Sequence, residues 1–133
     1  MIDLVDKAAD YLRAKGYKDA SVRRLESLIG REGIVVRRLP TIPTGTYQDR
    51  TRSLDYLYQV VVRRGSERQA MEECSDIAEL LCNTTLMSGN GSYRMSAQDI
   101  YTEPQELPLE DTGFYAWEVR ICASITIGDH NEQ

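Results

Sequence analysis

The sequence predicts an α+β fold, a mainly antiparallel four-stranded sheet with two main helices packed on one of its faces. Two long stretches, 54–64 and 114–127, alternate apolar and polar residues as half-buried strands do. A third stretch, 66–82, carries apolar residues at helical spacing. The predicted strands come in consecutive pairs, which is typical of antiparallel hairpins with only one face to cover.

The first part of the chain predicts one helix, a shorter helical segment and one strand. A helix is expected over 3–15, with Asp3 as its N-cap. Residues 21–29 have apolar spacing that fits a short extra helix. The β-branched run that follows predicts a strand over 34–39, which Pro40 closes.

A long loop is predicted over 40–53. It contains two prolines and four threonines and has no apolar periodicity. Long ordered loops in small domains are often functional. The candidate functional residues of the chain are therefore Tyr47, Arg50 and Arg52 in this loop.

The strand over 54–64 turns an apolar row inward and a polar row outward. The outward row includes Asp55, Gln59 and Arg63. The inward row is Leu54, Tyr56, Tyr58, Val60 and Val62. The sequence has 8 tyrosines, and we expect Tyr56, Tyr58 and Tyr115 to pack at the margins of the sheet.

The second half predicts a helix and two further strands. Ser66 and Gln69 form a capping box at the start of the helix over 66–82. A less hydrophobic strand is expected over 92–103, and an acidic loop over 104–113 leads to the strand over 114–127. The outer face of the helix is acidic and carries Glu72, Glu73, Asp76 and Glu79.

Composition predicts a single globular domain over 1–133 with a polar C-terminal tail, 128–133. No apolar run reaches the roughly 20 residues of a membrane-spanning helix. Without a secretory signal at the N-terminus, we expect folding in a cytoplasm. The net charge of −5 argues against a dedicated nucleic-acid binder.

The charge is unevenly distributed along the chain. Residues 1–70 carry 14 Lys and Arg against 9 Asp and Glu, and residues 71–133 carry 2 against 12. Faces of opposite sign would suit head-to-tail self-association. The alternative is that the two halves interleave in space and their charges mix.

A search for reactive groups predicts no catalytic, cofactor or metal site, and therefore no enzyme. The cysteines, Cys74, Cys82 and Cys122, form no CxxC pair and are expected to be buried free thiols. The single histidine, His130, lies in the polar tail, which is a poor position for a catalytic base. Asp99 and Glu103 could pair as carboxylates, but solvated strand residues are much commoner.

The order of elements resembles the tail-terminator proteins of long-tailed bacteriophages, which are often labelled minor capsid or minor tail proteins. The resemblance spans residues 3–127. It depends on the helix around 4–12, the stretch GIVVRRLP at 33–40, and the strand 56–64 running directly into helix 66–82. Two further stretches contribute, YTEPQELP at 101–108 and DTGFYAWE at 111–118.

The resemblance implies a structural virion protein without cofactor or catalysis. Such proteins form a ring, typically a homohexamer, that caps the tail tube, stops its polymerisation and offers a joint to the head connector. The implied partners are other copies of the chain, the tail-tube protein and the connector or neck protein. DNA would pass through the lumen without specific binding. The implied location is the head-proximal end of the tail in the virion.

Three other functions are compatible with the sequence. A head-completion or neck protein of the same kind of particle would have a similar composition. A small ligand-binding domain or enzyme could use Asp99, Glu103 or the loop over 40–53. A stand-alone host dimer is the third.

Overall fold

The computed structural model describes residues 2–40, 52–108 and 113–127. The described residues form two helices and five strands with one 3-10 turn at Leu25–Leu28. In chain order the helices and strands are α1 (Leu4–Ala14), β1 (Ala20–Val22), β2 (Gly33–Arg38), β3 (Arg52–Arg64), α2 (Glu67–Cys82), β4 (Arg94–Glu106) and β5 (Tyr115–Ile127). The α+β class and both main helices are as predicted.

The sheet has five strands, in the order β1-β2-β3-β5-β4, and it is mixed. The prediction of a four-stranded antiparallel sheet is wrong on this point, because β1 pairs parallel to β2. This strand lies at the start of the segment predicted as a short helix near 21–29, and only Leu25–Leu28 turns helically. A three-residue strand is too short to show a periodicity. It exists through its pairing with β2, from Ala20 opposite Ile34 to Val22 opposite Val36.

Strands β3 and β5 form the centre of the sheet. They pair antiparallel along their whole length, from Arg52 opposite Ile127 to Arg64 opposite Tyr115. Because β3 begins at Arg52, the loop predicted over 40–53 ends earlier than expected.

Strand β4 continues through Pro104 to Glu106, so the loop predicted over 104–113 begins later than expected. Proline lacks an N–H and is tolerated where a strand has a free side or an irregular register. Both conditions hold, since β4 is the last strand of the sheet and its register with β5 shifts between Thr102 and Gln105.

Both helices pack on one face of the sheet, as predicted. The inward row of β3 is buried there against α1 and α2. Tyr56 and Tyr58 lie in this core and not at the margins, while Tyr115 is exposed. The Tyr58 hydroxyl donates to Gln98 Oε1 at 2.6 Å, and Gln98 Nε2 donates to the Leu81 carbonyl at 2.6 Å. Tyr58 thereby connects β3, β4 and the C-terminal end of α2.

The two predicted helix caps differ in outcome. The Ser66 hydroxyl accepts from the Gln69 amide N–H at 3.4 Å, which confirms the Ser66 half of the predicted capping box. The Gln69 side chain, its other half, donates to Glu73 Oε2 at 2.9 Å. Asp3 precedes α1 but makes no side-chain cap. Its carboxylate instead accepts from the Ser88 hydroxyl and from the Gly89 N–H, both at 2.8 Å. These bonds fasten the N-terminus to the segment between α2 and β4.

Candidate assembly surfaces

The face of the sheet that the helices leave open contains a buried polar network. Gln59 lies next to Tyr58 on β3, so strand alternation turns it to this face. Its Nε2 donates to Glu118 Oε1 at 2.5 Å, and its Oε1 accepts from Arg37 Nε at 2.7 Å. Glu118 also accepts from Arg120 Nε at 2.9 Å and from Gln105 Nε2 at 3.1 Å. The network therefore joins β2, β3, β5 and β4 side by side.

The Glu118 carboxylate is a structural anion. Burial acts to raise its pKa, but the hydrogen bonds from Arg120, Gln59 and Gln105 outweigh burial and hold the pKa below its usual range. Its oxygens are already bonded within the sheet. Gln59 had been expected in the outward row of its strand, and both Gln59 and Glu118 are buried.

Arg64 links the two sides of the molecule. From the end of β3 its guanidinium binds Asp19 Oδ2 at 2.7 Å and Glu73 Oε1 at 2.9 Å. Asp19 immediately precedes β1, and Glu73 belongs to α2. These contacts connect the β1 edge of the sheet to α2, the helix that packs on β3, β5 and β4.

The charge asymmetry of the sequence is kept in part in space, although Asp76 and Glu79 of α2 share a cleft with Lys15. Residues 13–38, from the end of α1 through β2, carry 8 Lys and Arg against 3 Asp and Glu. Residues 67–106, which form α2 and β4, carry 2 against 8. Strands β1 and β4 are the two outer strands of the sheet, α1 packs on β1 and β2, and α2 packs on β3, β5 and β4. The basic and acidic segments therefore lie toward opposite edges.

The β1 side forms what we call the basic edge, defined by Val22, Arg23, Arg24, Ile29 and Arg31. A cleft of about 360 Å³ opens here, and its lining includes Arg23 and Arg31. Val22 and Ile29 are sequence neighbours of residues that line this cleft. They are 41% and 68% exposed, respectively. The basic edge thus combines guanidinium groups with uncovered apolar side chains.

Two carboxylates of the same cleft are already engaged. Asp19 binds Arg64, as described above. Glu32 Oε2 accepts from the Gly65 N–H at 2.7 Å. The cleft is lined by four cationic side chains, Arg13, Lys18, Arg23 and Arg31, against these two carboxylates.

The opposite side forms the acidic edge, defined by Asp99, Tyr101 and Glu103 on β4. These three residues are exposed and alternate with half-buried ones. Tyr101 is 65% exposed. Within the described part of the chain, β4 has a neighbouring strand on one side only. Asp99 and Glu103 lie on this edge and not in a cleft with other acids.

The predicted site residues are only partly placed by the structure. Tyr47 and Arg50 lie outside the described residues. Arg52 opens β3, and its backbone pairs with Ile127. Tyr101 was not identified as a candidate from the sequence. The apolar alternation of its strand is weak and does not show which of the two rows of side chains is exposed.

The three cysteines are free thiols, as expected, but Cys82 and Cys122 are half-buried and not buried as predicted. Cys74 is fully buried, and burial raises the pKa of its thiol to about 12. Over residues 2–40, 52–108 and 113–127, no group of three His, Cys, Asp or Glu could hold a metal ion. None of the helices described is long and apolar enough to cross a bilayer.

Comparisons with known proteins place the fold. A family model described as "Bacteriophage tail terminator protein" matches residues 7–127. The sequence matches no curated protein significantly. Among solved structures, a chain of "Virion of native gene transfer agent (GTA) particle" has a TM-score of 0.57 at 12% identity, covering 94% of this chain and 97% of that one. Another, whose name states no activity, has a TM-score of 0.51 at 13% identity, covering 92% and 89%.

The family match extends from within α1 to the last residue of β5 and so includes both charged edges. The structural likenesses, at low identity, establish the fold alone. The chain belongs to the bacteriophage tail terminator family and is a structural protein of a phage-type particle.

Proposed function

We propose that this protein is a ring-forming tail terminator that caps the tail tube, stops its polymerisation and provides the joint to the head connector. The family match over residues 7–127 is the observation that carries the proposal. The separation of charge between the β1 and β4 edges supports the ring. Two different, complementary surfaces on one chain form a heterologous interface, which closes into a ring when the rotation between subunits permits.

The ring would be a homohexamer at the head-proximal end of the tail, assembled in the host cytoplasm. Its partners would be other copies of the chain, the tail-tube protein and the head connector or neck protein. DNA would pass through the lumen without specific contacts. The protein would act through extended surfaces, with no cofactor and no catalysis. A head-completion or neck role is the competing assignment, and the family match favours the terminator.

The experiment that tests this function adds purified protein to polymerising tail-tube subunits of the same phage. We expect growth to stop and the protein to be found at one tube end by electron microscopy. A cap blocks addition of the next subunit ring, so excess protein should shorten the tubes. Tubes that lengthen at an unchanged rate, with no density at either end, would remove the terminator assignment.

We also propose that the segment holding Tyr47, Arg50 and Arg52 contacts a neighbour, the tail tube or the lumen. Reversal of both charges, Arg50→Glu with Arg52→Glu, is expected to weaken tail joining or ring formation at least about tenfold, as loss of paired interfacial charges does. The matched control is Arg68→Glu, which reverses an exposed charge on α2. Ring formation and tail joining that are both unchanged in the double variant would exclude the segment as an interface.

A further inference from the structure

We infer that the acidic edge of one subunit docks on the basic edge of the next, with Tyr101 packed against Val22 and Ile29 at the centre of the contact. The inference rests on the proposed ring and names the surfaces that close it. The occupant of each edge is a second copy of this chain.

The basic and acidic edges of one subunit are too far apart to interact with each other. They are the outer strands of a five-stranded sheet. Four strand spacings of about 4.8 Å place them roughly 19 Å apart. This exceeds the screening length of about 8 Å at physiological salt. A second copy presents the complement of each edge, so the two edges can pair between subunits.

The apolar residues on the two edges also correspond. Each edge presents uncovered apolar surface bordered by charges of one sign: Tyr101 lies between Asp99 and Glu103, whereas Val22 and Ile29 lie beside arginines. An aromatic centre surrounded by a charged rim is the usual anatomy of a specific interface. The basic cleft of about 360 Å³ adds a concave surface on the β1 side.

The arrangement gives a direction to assembly. An acidic edge repels another acidic edge, so two subunits cannot meet symmetrically through β4, and the same holds for two basic edges. Only a head-to-tail contact is favourable, and repeated head-to-tail contacts generate a closed ring or a filament. Charge thus excludes the two-fold dimer that an uncovered tyrosine could otherwise form.

The first test is truncation of the anchor. Tyr101→Ser is expected to weaken self-association at least about tenfold in sedimentation velocity, since central aromatic residues dominate interface energies. Tyr115→Ser, at an exposed tyrosine on β5, is the matched control and should assemble as the wild type does. Circular dichroism should be unchanged in both, and so should the thermal midpoints at concentrations at which all three proteins are monomeric. Unaltered assembly of Tyr101→Ser would overturn the inference.

The second test uses charge reversal in two separate proteins. Glu103→Lys alone changes the charge of the acidic edge from −2 to 0, and Arg23→Glu alone changes that of the basic edge from +3 to +1. Each change removes most of the attraction between the edges, so each variant should assemble at least about tenfold more weakly. Mixed one to one, they should form rings in which the two variants alternate. Failure of the mixture to recover assembly that both single variants have lost would overturn the pairing of these edges.

The outcomes separate the inference from the function. If the wild-type chain stays monomeric at every concentration and yet its phage needs it for tail length, the edge pairing is wrong and the terminator role stands. If Tyr101→Ser forms normal rings but fails to join tails, β4 belongs to another partner and the pairing is again wrong. If the edges pair as inferred but tails form normally without the protein, the terminator role fails.

Discussion

Replacement of Tyr58 by alanine is expected to lower the free energy of unfolding by about 4 kcal/mol, as truncation of a buried aromatic side chain does. Tyr58 has no exposed surface and lies between β3 and the helices. The substitution removes the ring contacts and also the hydroxyl that donates to Gln98 at 2.6 Å. A loss of this size is a large fraction of the roughly 5–15 kcal/mol that stabilises a typical domain.

Two comparison variants separate the causes of that loss. Tyr58→Phe keeps the ring and leaves the buried Gln98 Oε1 without this donor, so we expect a cost of about 1–2 kcal/mol. Tyr101→Ala makes the same truncation at an exposed tyrosine and should change stability by less than about 0.5 kcal/mol. Chemical denaturation of the four proteins under identical conditions gives these values. Equal costs at positions 58 and 101 would contradict the burial that the fold assigns to Tyr58.

Replacement of Glu118 by alanine is expected to cost about 3 kcal/mol, because it removes a buried charged acceptor and leaves a buried donor without its partner. Glu118 accepts hydrogen bonds from Gln59, Gln105 and Arg120. Gln59 is itself buried and loses its acceptor in the variant. Because the network crosses four strands, the loss should appear as lower global stability and not as local fraying.

The Glu118 contribution is also expected to depend on pH. The folded-state pKa is held below its usual range despite burial. A lowered pKa adds stability that is fully present above the unfolded-state value, about 4.3, and is lost as the pH falls through the folded-state value. The stability difference between the wild type and Glu118→Gln should therefore shrink between neutral pH and pH values below about 4. A difference that is the same at both ends of this range would contradict the ionised, hydrogen-bonded state.

The central part of the fold could be predicted from the sequence because its signals are local and repeated. The alternation from Leu54 to Val62 predicts the row of β3 that packs against the helices, and the structure places this row in that core. Gln59 and Arg63, which were predicted to face outward, are buried as well. The Ser66 cap marks the start of α2 in the same way. These features depend on residues close together in the chain.

The missed elements depend on distant partners. Strand β1 is three residues long and forms because β2 lies beside it. Pro104 is accommodated within β4 because that strand is at an edge, which the local sequence does not state. The burial of Gln59 and Glu118 follows from side chains that are far apart in sequence, at a separation of 59 residues.

The candidate site was also predictable only in part from the local sequence. The opposite charges of the two halves were visible in the sequence, but whether they would mix in space depended on the strand order. Because the order places β1 and β4 at the two edges, the arginines that follow β1 lie apart from the acids of β4, whereas Asp76 and Glu79 of α2 lie in a cleft with Lys15. Tyr101 emerged only from its exposure between two acidic residues.

The terminator role is tested most directly by the length distribution of tails in a phage that lacks this protein, measured by electron microscopy of lysates. We expect tails of uncontrolled length that fail to join heads, and recovery of uniform, joined tails when the wild-type chain is supplied in trans. Tails of normal length that are properly attached to heads in the absence of the protein would contradict the account.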